Sequence, residues 1–253
     1  MASQIACQLY TLRDFAKTPA DIAKTLARVR KIGYEAVQVS GMGQIDAKEL
    51  AKILKDNGLT CCATHVGLDK LRDQVQLVVD EHKLWGCELT AIGGWGWQGA
   101  DEKGWTDFAR QYDEIARKYA STGVRIGYHN HNHELVRFGN RTALEIIGQT
   151  APSVWMEIDT YWITAGGGDP AAFVRKYKDR IPAVHFKDMA VAPDRKQMMA
   201  EVGKGNLNWH EIIKACREAG VKWYIIEQDD CNGRDPFESV EESLRNLKAM
   251  GVN

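Results

Sequence analysis

Gly127-Tyr128-His129-Asn130-His131, Met156-Glu157-Ile158-Asp159, Ala183-Val184-His185-Phe186-Lys187-Asp188 and Ile225-Ile226-Glu227-Gln228 decide how this chain is read. Each is a short apolar run that ends in side chains able to bind a metal or move a proton. Strands end this way at intervals of about one βα unit, roughly 25–40 residues, where one rim of a sheet or barrel is furnished as a site. The pattern points to a metal-assisted enzyme.

Working outward, short apolar segments alternate with longer amphipathic ones along the whole chain, the pattern of βα units around a parallel sheet. Eight strands are expected: 5–10, 36–40, 61–66, 89–93, 125–131, 154–159, 183–187 and 223–228. Helical periodicity falls between them at 19–32, 46–57, 69–85, 106–121, 142–148, 170–177, 209–219 and 236–250. Asp169-Pro170 and Asp235-Pro236 place an N-cap acid before a proline at the first helical position, and Gly33, Gly58 and Gly220 stand where left-handed C-terminal caps are wanted. Eight such units in 253 residues predict a single-domain α/β protein, a closed (β/α)8 TIM barrel spanning 1–253.

An open dinucleotide-binding sheet would carry GxGxxG after its first strand; the turn here is Tyr10-Thr-Leu-Arg-Asp14. The Gly-rich loop Gly93-Gly94-Trp95-Gly96-Trp97 follows the fourth strand instead, and its tryptophans suit either stacking on a sugar ring or packing on neighbouring loops. Lys and Arg number 33 against 34 Asp and Glu, so no broad basic surface is available to a phosphate backbone, and nucleic acid is not an expected partner. The first residues show no signal-peptide pattern and no run approaches the ~20 apolar residues of a membrane span, so a soluble, cytoplasmic protein is expected. The six cysteines lack CxxC spacing and read as reduced thiols, with Cys7, Cys61, Cys62 and Cys87 in apolar runs.

In a parallel barrel the strand C-termini converge, which would bring Asp159, His185 and Glu227 together from consecutive strands. One imidazole and two carboxylates, with a fourth ligand from the fifth strand, suit Mn, Mg, Co or Zn as one divalent ion. Alternation puts His129 and His131 on one strand face, and Glu157 on the side of Asp159 but a layer deeper. Glu227, His131 and Glu157 are candidate catalytic bases, and Lys187 would sit near a developing oxyanion or leaving oxygen, or pair with Glu157 or Asp188. His65, ending the third strand, is a candidate substrate donor, and Trp95, Trp97, Trp105 and Trp162 are candidate pocket walls. His82, His133 and His210 are expected at the surface.

These residues resemble the sugar phosphate isomerase/epimerase superfamily with its xylose isomerase-like barrel, which includes ketose 3-epimerases, inosose dehydratases and endonuclease IV-type enzymes. The likeness covers nearly the whole chain: Gly127-Tyr-His-Asn-His131, Glu157-Ile-Asp-Thr-Tyr-Trp162, Val184-His-Phe-Lys-Asp188, Glu201-Val-Gly-Lys-Gly205 and Ile226-Glu-Gln228 follow the family's order. The resemblance implies one divalent metal held by Asp159, His185 and Glu227. Its first ligand, a glutamate in many relatives, is here His129, with Glu134 as the rival. Glu134, Trp162 and Gln228 are further candidate substrate contacts. Trp162 stands where the endonuclease branch has a metal-binding histidine, which argues against DNA repair. The resemblance implies a small-molecule sugar substrate and a homo-oligomer whose order no sequence feature fixes. It implies a metal-dependent isomerase or epimerase acting on a keto-sugar, polyol or sugar derivative through an enediolate. A dehydratase or lyase of a keto-sugar or keto-inositol is the alternative, because the histidine-rich fifth strand replaces a carboxylate. A non-catalytic sugar-binding barrel is the third.

Overall fold

Side-chain volume along eight short strands explains how this chain closes on itself. In the computed structural model, which describes residues 4–96 and 99–253, the strands are β1 (Ile5–Gln8), β2 (Ala36–Val39), β3 (Thr60–His65), β4 (Leu89–Ile92), β5 (Arg125–His129), β6 (Trp155–Asp159), β7 (Ala183–Phe186) and β8 (Trp223–Ile226). All pair in parallel, and β8 returns to β1 through Ile5↔Tyr224 and Ala6↔Ile225, giving a closed (β/α)8 barrel. The lower interior is filled by the small residues Ala6, Ala36, Cys62, Ala63, Ala91 and Ala183 with Leu89 and Ile225, packed around the indole of Trp155. An indole fits there because five of its neighbours in that cluster are alanines and Gly127 on the adjoining strand leaves it room. Two positions further along seven of the strands the inward residues turn polar, Gln8, Gln38, His65, His129, Glu157, His185 and Glu227, while β4 is followed by Gly93. That polar layer is the floor of the site.

Gly127 on β5 is part of the same packing, since a Cβ there would run into the Trp155 ring. A Gly127→Ala substitution is therefore expected to lower unfolding free energy by about 1–3 kcal/mol through overpacking. Urea denaturation reads this directly, and an unchanged midpoint would mean that the indole has room to yield.

The outer layer follows local chemistry. Helix α1 (Pro19–Ile32) starts on a Thr18 cap with proline at its first position and stops at Gly33, φ 114°. Helices α2 (Ala47–Asp56), α5 (Glu102–Lys118), α6 (Ala143–Thr150), α8 (Pro170–Lys176), α9 (Trp209–Ala219) and α10 (Pro236–Ala249) occupy the expected intervals. The single helix expected over 69–85 is instead broken into α3 (Leu68–Asp73) and α4 (Val75–Trp85), because Gln74 takes φ −125°, ψ 43°. Five elements were not expected: α7 (Thr160–Ala165), 3-10 turns at Leu9–Phe15 and His133–Leu135, a hairpin pairing Asp188–Val191 with Gln197–Ala200, and a short one pairing Arg137–Phe138 with Arg141–Thr142. The expected strand 125–131 ends at His129 because Asn130 turns its Oδ1 to accept from Asp159 N, 3.0 Å away. All six cysteines are free, and no described helix is long and apolar enough to cross a membrane.

Candidate metal and catalytic site

The polar layer opens at the C-terminal rim into a cavity of about 500 Å³ lined by side chains from both ends of the chain. His129 and Glu227 line it, and Asp159 and His185 are fully buried beside them, one ligand atom of each of the four lying within 4.8 Å of the others. His129 Nε2 lies 3.3 Å from Asp159 Oδ2, and His185 Nδ1 donates to Glu227 Oε2 at 2.8 Å. The strand register enforces this grouping, because Asp159 pairs with His185 and Ile225, two residues before Glu227, pairs with His185 from the other side. Glu134 is not in the group. It accepts from the Tyr128 hydroxyl at 2.7 Å and from His131 N at 2.8 Å, and burial raises its pKa. The geometry thus groups His129, rather than Glu134, with the other three.

Below this layer sits a buried hydrogen-bonded net. His185 Nε2 donates to Gln38 Oε1 at 2.7 Å, and Gln38 Nε2 donates to Glu157 Oε1 at 2.9 Å. Glu157 Oε2 in turn holds His65 Nε2 at 2.7 Å, while His65 Nδ1 is 3.3 Å from the Ser40 hydroxyl. Glu157, a candidate base on sequence grounds, is 0 % exposed and does not reach the cavity wall. It orients His65 and His185, as the carboxylate behind a metal-binding imidazole commonly does.

Lys187 brings an ammonium into the site. Its Nζ lies 3.0 Å from Asp159, 2.8 Å from Glu227 and 2.9 Å from Asp229, so it pairs with neither Glu157 nor Asp188. Burial would lower its pKa, but these three carboxylates hold it well above the usual lysine value. Burial would likewise lower His185, yet the charges of Glu157 and Glu227 raise it to about 10. Burial, with His185 alongside, pushes His129 down to about 4, and burial with His129 and Lys187 pushes His131 further down. Asp229 is raised to about 6 by burial and by Glu227. Three carboxylates, Asp159, Glu227 and Asp229, thus face a single ammonium, and a fourth, Glu157, lies against His65 and His185. Burying that imbalance is costly unless protons or a cation offset it. Convergent imidazole and carboxylate donors with excess negative charge fit one divalent ion of the Mn, Mg, Co or Zn type.

Among the remaining candidates, His65, His131 and Trp162 line the cavity with Lys187 and Glu227. The Trp162 Nε1 is buried and finds no hydrogen-bond partner among the described residues. Trp95 stacks on Phe108, ring centroids 4.3 Å apart, and meets the buried Trp105 edge-on, so both belong to loop and core packing rather than to the cavity. Trp97 lies outside the described residues. Gln228 is 2 % exposed beneath the rim, its amide donating to Asp230 O. Two surface expectations fail. His82 is fully buried between Thr64 Oγ1 and Val78 O, because its helix packs that face on β3. His133 is half-buried against Trp95 O. Tyr10, Ser40 and Asp229 complete the lining without having been anticipated. Of these Asp229 carried a signal, since it follows Glu227 by two residues and period-two alternation extends past the strand end.

Asp188 explains a motif that sequence alone left without a role. Its buried carboxylate accepts from Gly203 N, Gly205 N, Leu207 N and the Trp209 indole at 2.7–3.3 Å. The Glu201–Gly205 loop is thereby pinned beside Lys187, and a Cβ on Gly205 would collide with the carboxylate. Asp188→Ala orphans the buried Trp209 indole and three part-buried backbone donors, so a loss of about 1–3 kcal/mol is expected in thermal or chemical melts. A loss under half of that would assign the loop's order to other contacts.

Fold and site together define a (β/α)8 barrel with a buried His/Asp/Glu centre at its C-terminal rim. Residues 26–250 match the family described as xylose isomerase-like TIM barrel, and the chain belongs to that family. It is 27 % identical over 165 residues to an inosose dehydratase of Lacticaseibacillus casei, an alignment covering 57 % of this chain and 54 % of that one. The chain spans about half the length of the curated relatives it matches. A sugar phosphate isomerase/epimerase structure from Parabacteroides distasonis superposes with TM-score 0.81 at 22 % identity, covering 100 % of this chain and 96 % of the other. An L-ribulose 3-epimerase structure gives 0.76 at 18 % identity, covering 100 % and 95 %. At these identities the two structures speak for the fold alone.

Proposed function

We propose that this chain is a divalent-metal-dependent enzyme of a keto-sugar or keto-polyol, which removes a C–H proton beside the carbonyl and expels the β-oxygen as water or an alcohol. His129, Asp159, His185 and Glu227 would hold the ion, which supplies Lewis acidity toward the carbonyl oxygen. The observation that carries the reading is the unlike character of the two sides of the cavity. Imidazoles, His131 and His65, stand just after β5 and at the end of β3, and an ammonium, Lys187, stands after β7. Elimination needs such an unlike pair, one group to accept the C–H proton and another to donate to the departing oxygen. Epimerisation is better served by two like bases, and β5 offers no carboxylate for the second. Glu157 keeps His65 oriented, while Asp229 keeps the ammonium of Lys187 at the wall. The inosose dehydratase name of the sequence relatives supports the same direction.

A second reading, isomerisation or epimerisation, is favoured by Glu227, which lines the cavity as a carboxylate able to take and return a proton. Incubating manganese-loaded protein with a panel of keto-sugars in deuterated water separates the two. Elimination predicts a product lighter by one water or one alcohol; isomerisation predicts deuterium in an isomer of unchanged formula. Absence of both reactions from metal-replete protein over a broad panel would leave only the sugar-binding barrel.

A further inference from the structure

The charge inventory of the cavity says what its ligand is not, and its uncharged donors say what it is. Resting on the enzyme reading above, we infer that the substrate is an uncharged, unphosphorylated polyhydroxy compound. Lys187 is the one cationic side chain among the described lining residues, and its three carboxylate neighbours lie within 3.0 Å. Arg13 stands at the mouth, but its guanidinium lies over the Tyr10 ring, 4.3 Å from the centroid, and donates to Tyr10 O and Asp229 O. With a divalent ion in place, four carboxylates and one ammonium leave the buried site with a net negative charge. A phosphate would add up to two more charges in a medium that screens poorly, with no free cation to receive them. Neutral hydroxyls, by contrast, meet groups that suit them. The buried Trp162 Nε1 lacks a partner among the described residues, and Ser40 and His65 line the same cavity. Tyr10, 38 % exposed, adds an aromatic surface to the lining for the apolar side of a sugar.

The test does not require the substrate to be known. Protein loaded with Mn²⁺ and freed of excess ion is titrated at pH 8 with inorganic phosphate, and then with D-fructose 6-phosphate, while the ³¹P line width is followed. The expected result is no saturable broadening, equal to that of a His185→Ala control carrying no ion. In parallel, equilibrium binding of each keto-sugar against its own phosphate ester is expected to favour the neutral member by roughly tenfold or more. An Asp229→Asn variant, which removes one negative charge, is expected to narrow that gap. Saturable ³¹P broadening by the loaded protein, or tighter binding of the phosphorylated member, overturns the proposal. Failure of the enzyme reading is told apart beforehand, because it shows as protein that retains no Mn²⁺ by elemental analysis. The phosphate titration, followed by dialysis, then applies to the metal-free chain, where measurable phosphate binding abolished by Lys187→Met would equally overturn it.

Discussion

A His185→Ala variant is expected to fold, to retain less than about a tenth of the wild-type metal, and to turn over on the order of 10³-fold more slowly. His65→Ala is expected to keep its metal and still lose about 10²–10⁴ in rate. The two side chains share one carboxylate, since Glu157 holds His65 through Oε2 and lies 3.4 Å from His185 through Oε1. Removing either leaves part of that buried net without a partner, so both variants should lose similar stability, about 1–3 kcal/mol. What separates them is the other face of each ring. His185 Nδ1 turns toward Asp159 and Glu227, while His65 stands on the cavity wall beside Ser40. Elemental analysis of the purified variants therefore carries the distinction, with melting temperatures as the control for shared structural damage. A His185→Ala protein with a full complement of metal would remove His185 from the ligand set, and a His65→Ala protein at full rate would leave His131 as the imidazole of the reaction.

Much of this was legible because barrel geometry turns sequence order into spatial order. Each of the eight strands lies within its expected interval or a residue beyond it, and α1 and α9 match theirs residue for residue, since proline, glycine and acidic caps mark helix ends chemically. Asp159, His185 and Glu227 were visible because a polar side chain that ends an apolar run in a parallel barrel has one place to go. The choice between His129 and Glu134 was not, because it depends on the 3-10 turn His133–Leu135 that gives Glu134 to Tyr128. Glu157 was legible as inward-facing but not as inaccessible; its distance from the cavity depends on Gln38 arriving from β2, 119 residues earlier. The hairpin after β7 was missed for a similar reason. Asp188–Val191 follows directly on the β7 run, and its pairing with Gln197–Ala200 and the anchor of Asp188 on the 203–209 loop are contacts that no local pattern announces. The aromatic loop after β4 shows the limit of composition, as Trp95 satisfies itself on Phe108 and Trp105 as readily as it would have on a sugar.

Metal uptake by this protein is expected to release a proton, and affinity to rise about tenfold per pH unit between pH 6 and 8, roughly 100-fold in all. The reason lies in His185. Without an ion, its Nδ1 faces Glu227 Oε2 and its Nε2 faces Gln38 Oε1, two acceptors, so both nitrogens carry hydrogen and the ring is an imidazolium. The raised value of about 10 expresses the same arrangement. Coordination through Nδ1 must expel that proton, and protons therefore compete with the metal throughout the range below pH 10. The stability of the metal-free protein runs the opposite way. A histidine whose folded pKa lies above its unfolded value of about 6.5 contributes stability that is fully present below pH 6.5 and is lost as pH rises through about 10. His129, lowered to about 4, contributes with the reverse sign, its share being present above pH 6.5 and lost as pH falls through 4. Stripped protein should thus be most stable near pH 6, whereas the loaded protein gains from alkalinity as binding tightens. Calorimetric titration in buffers of different ionisation enthalpy counts the released proton, and chelator competition at pH 6, 7 and 8 measures the slope. An affinity that does not change over that interval would mean that His185 is already neutral before the metal arrives, and the charge balance of the site would then rest on Lys187 alone.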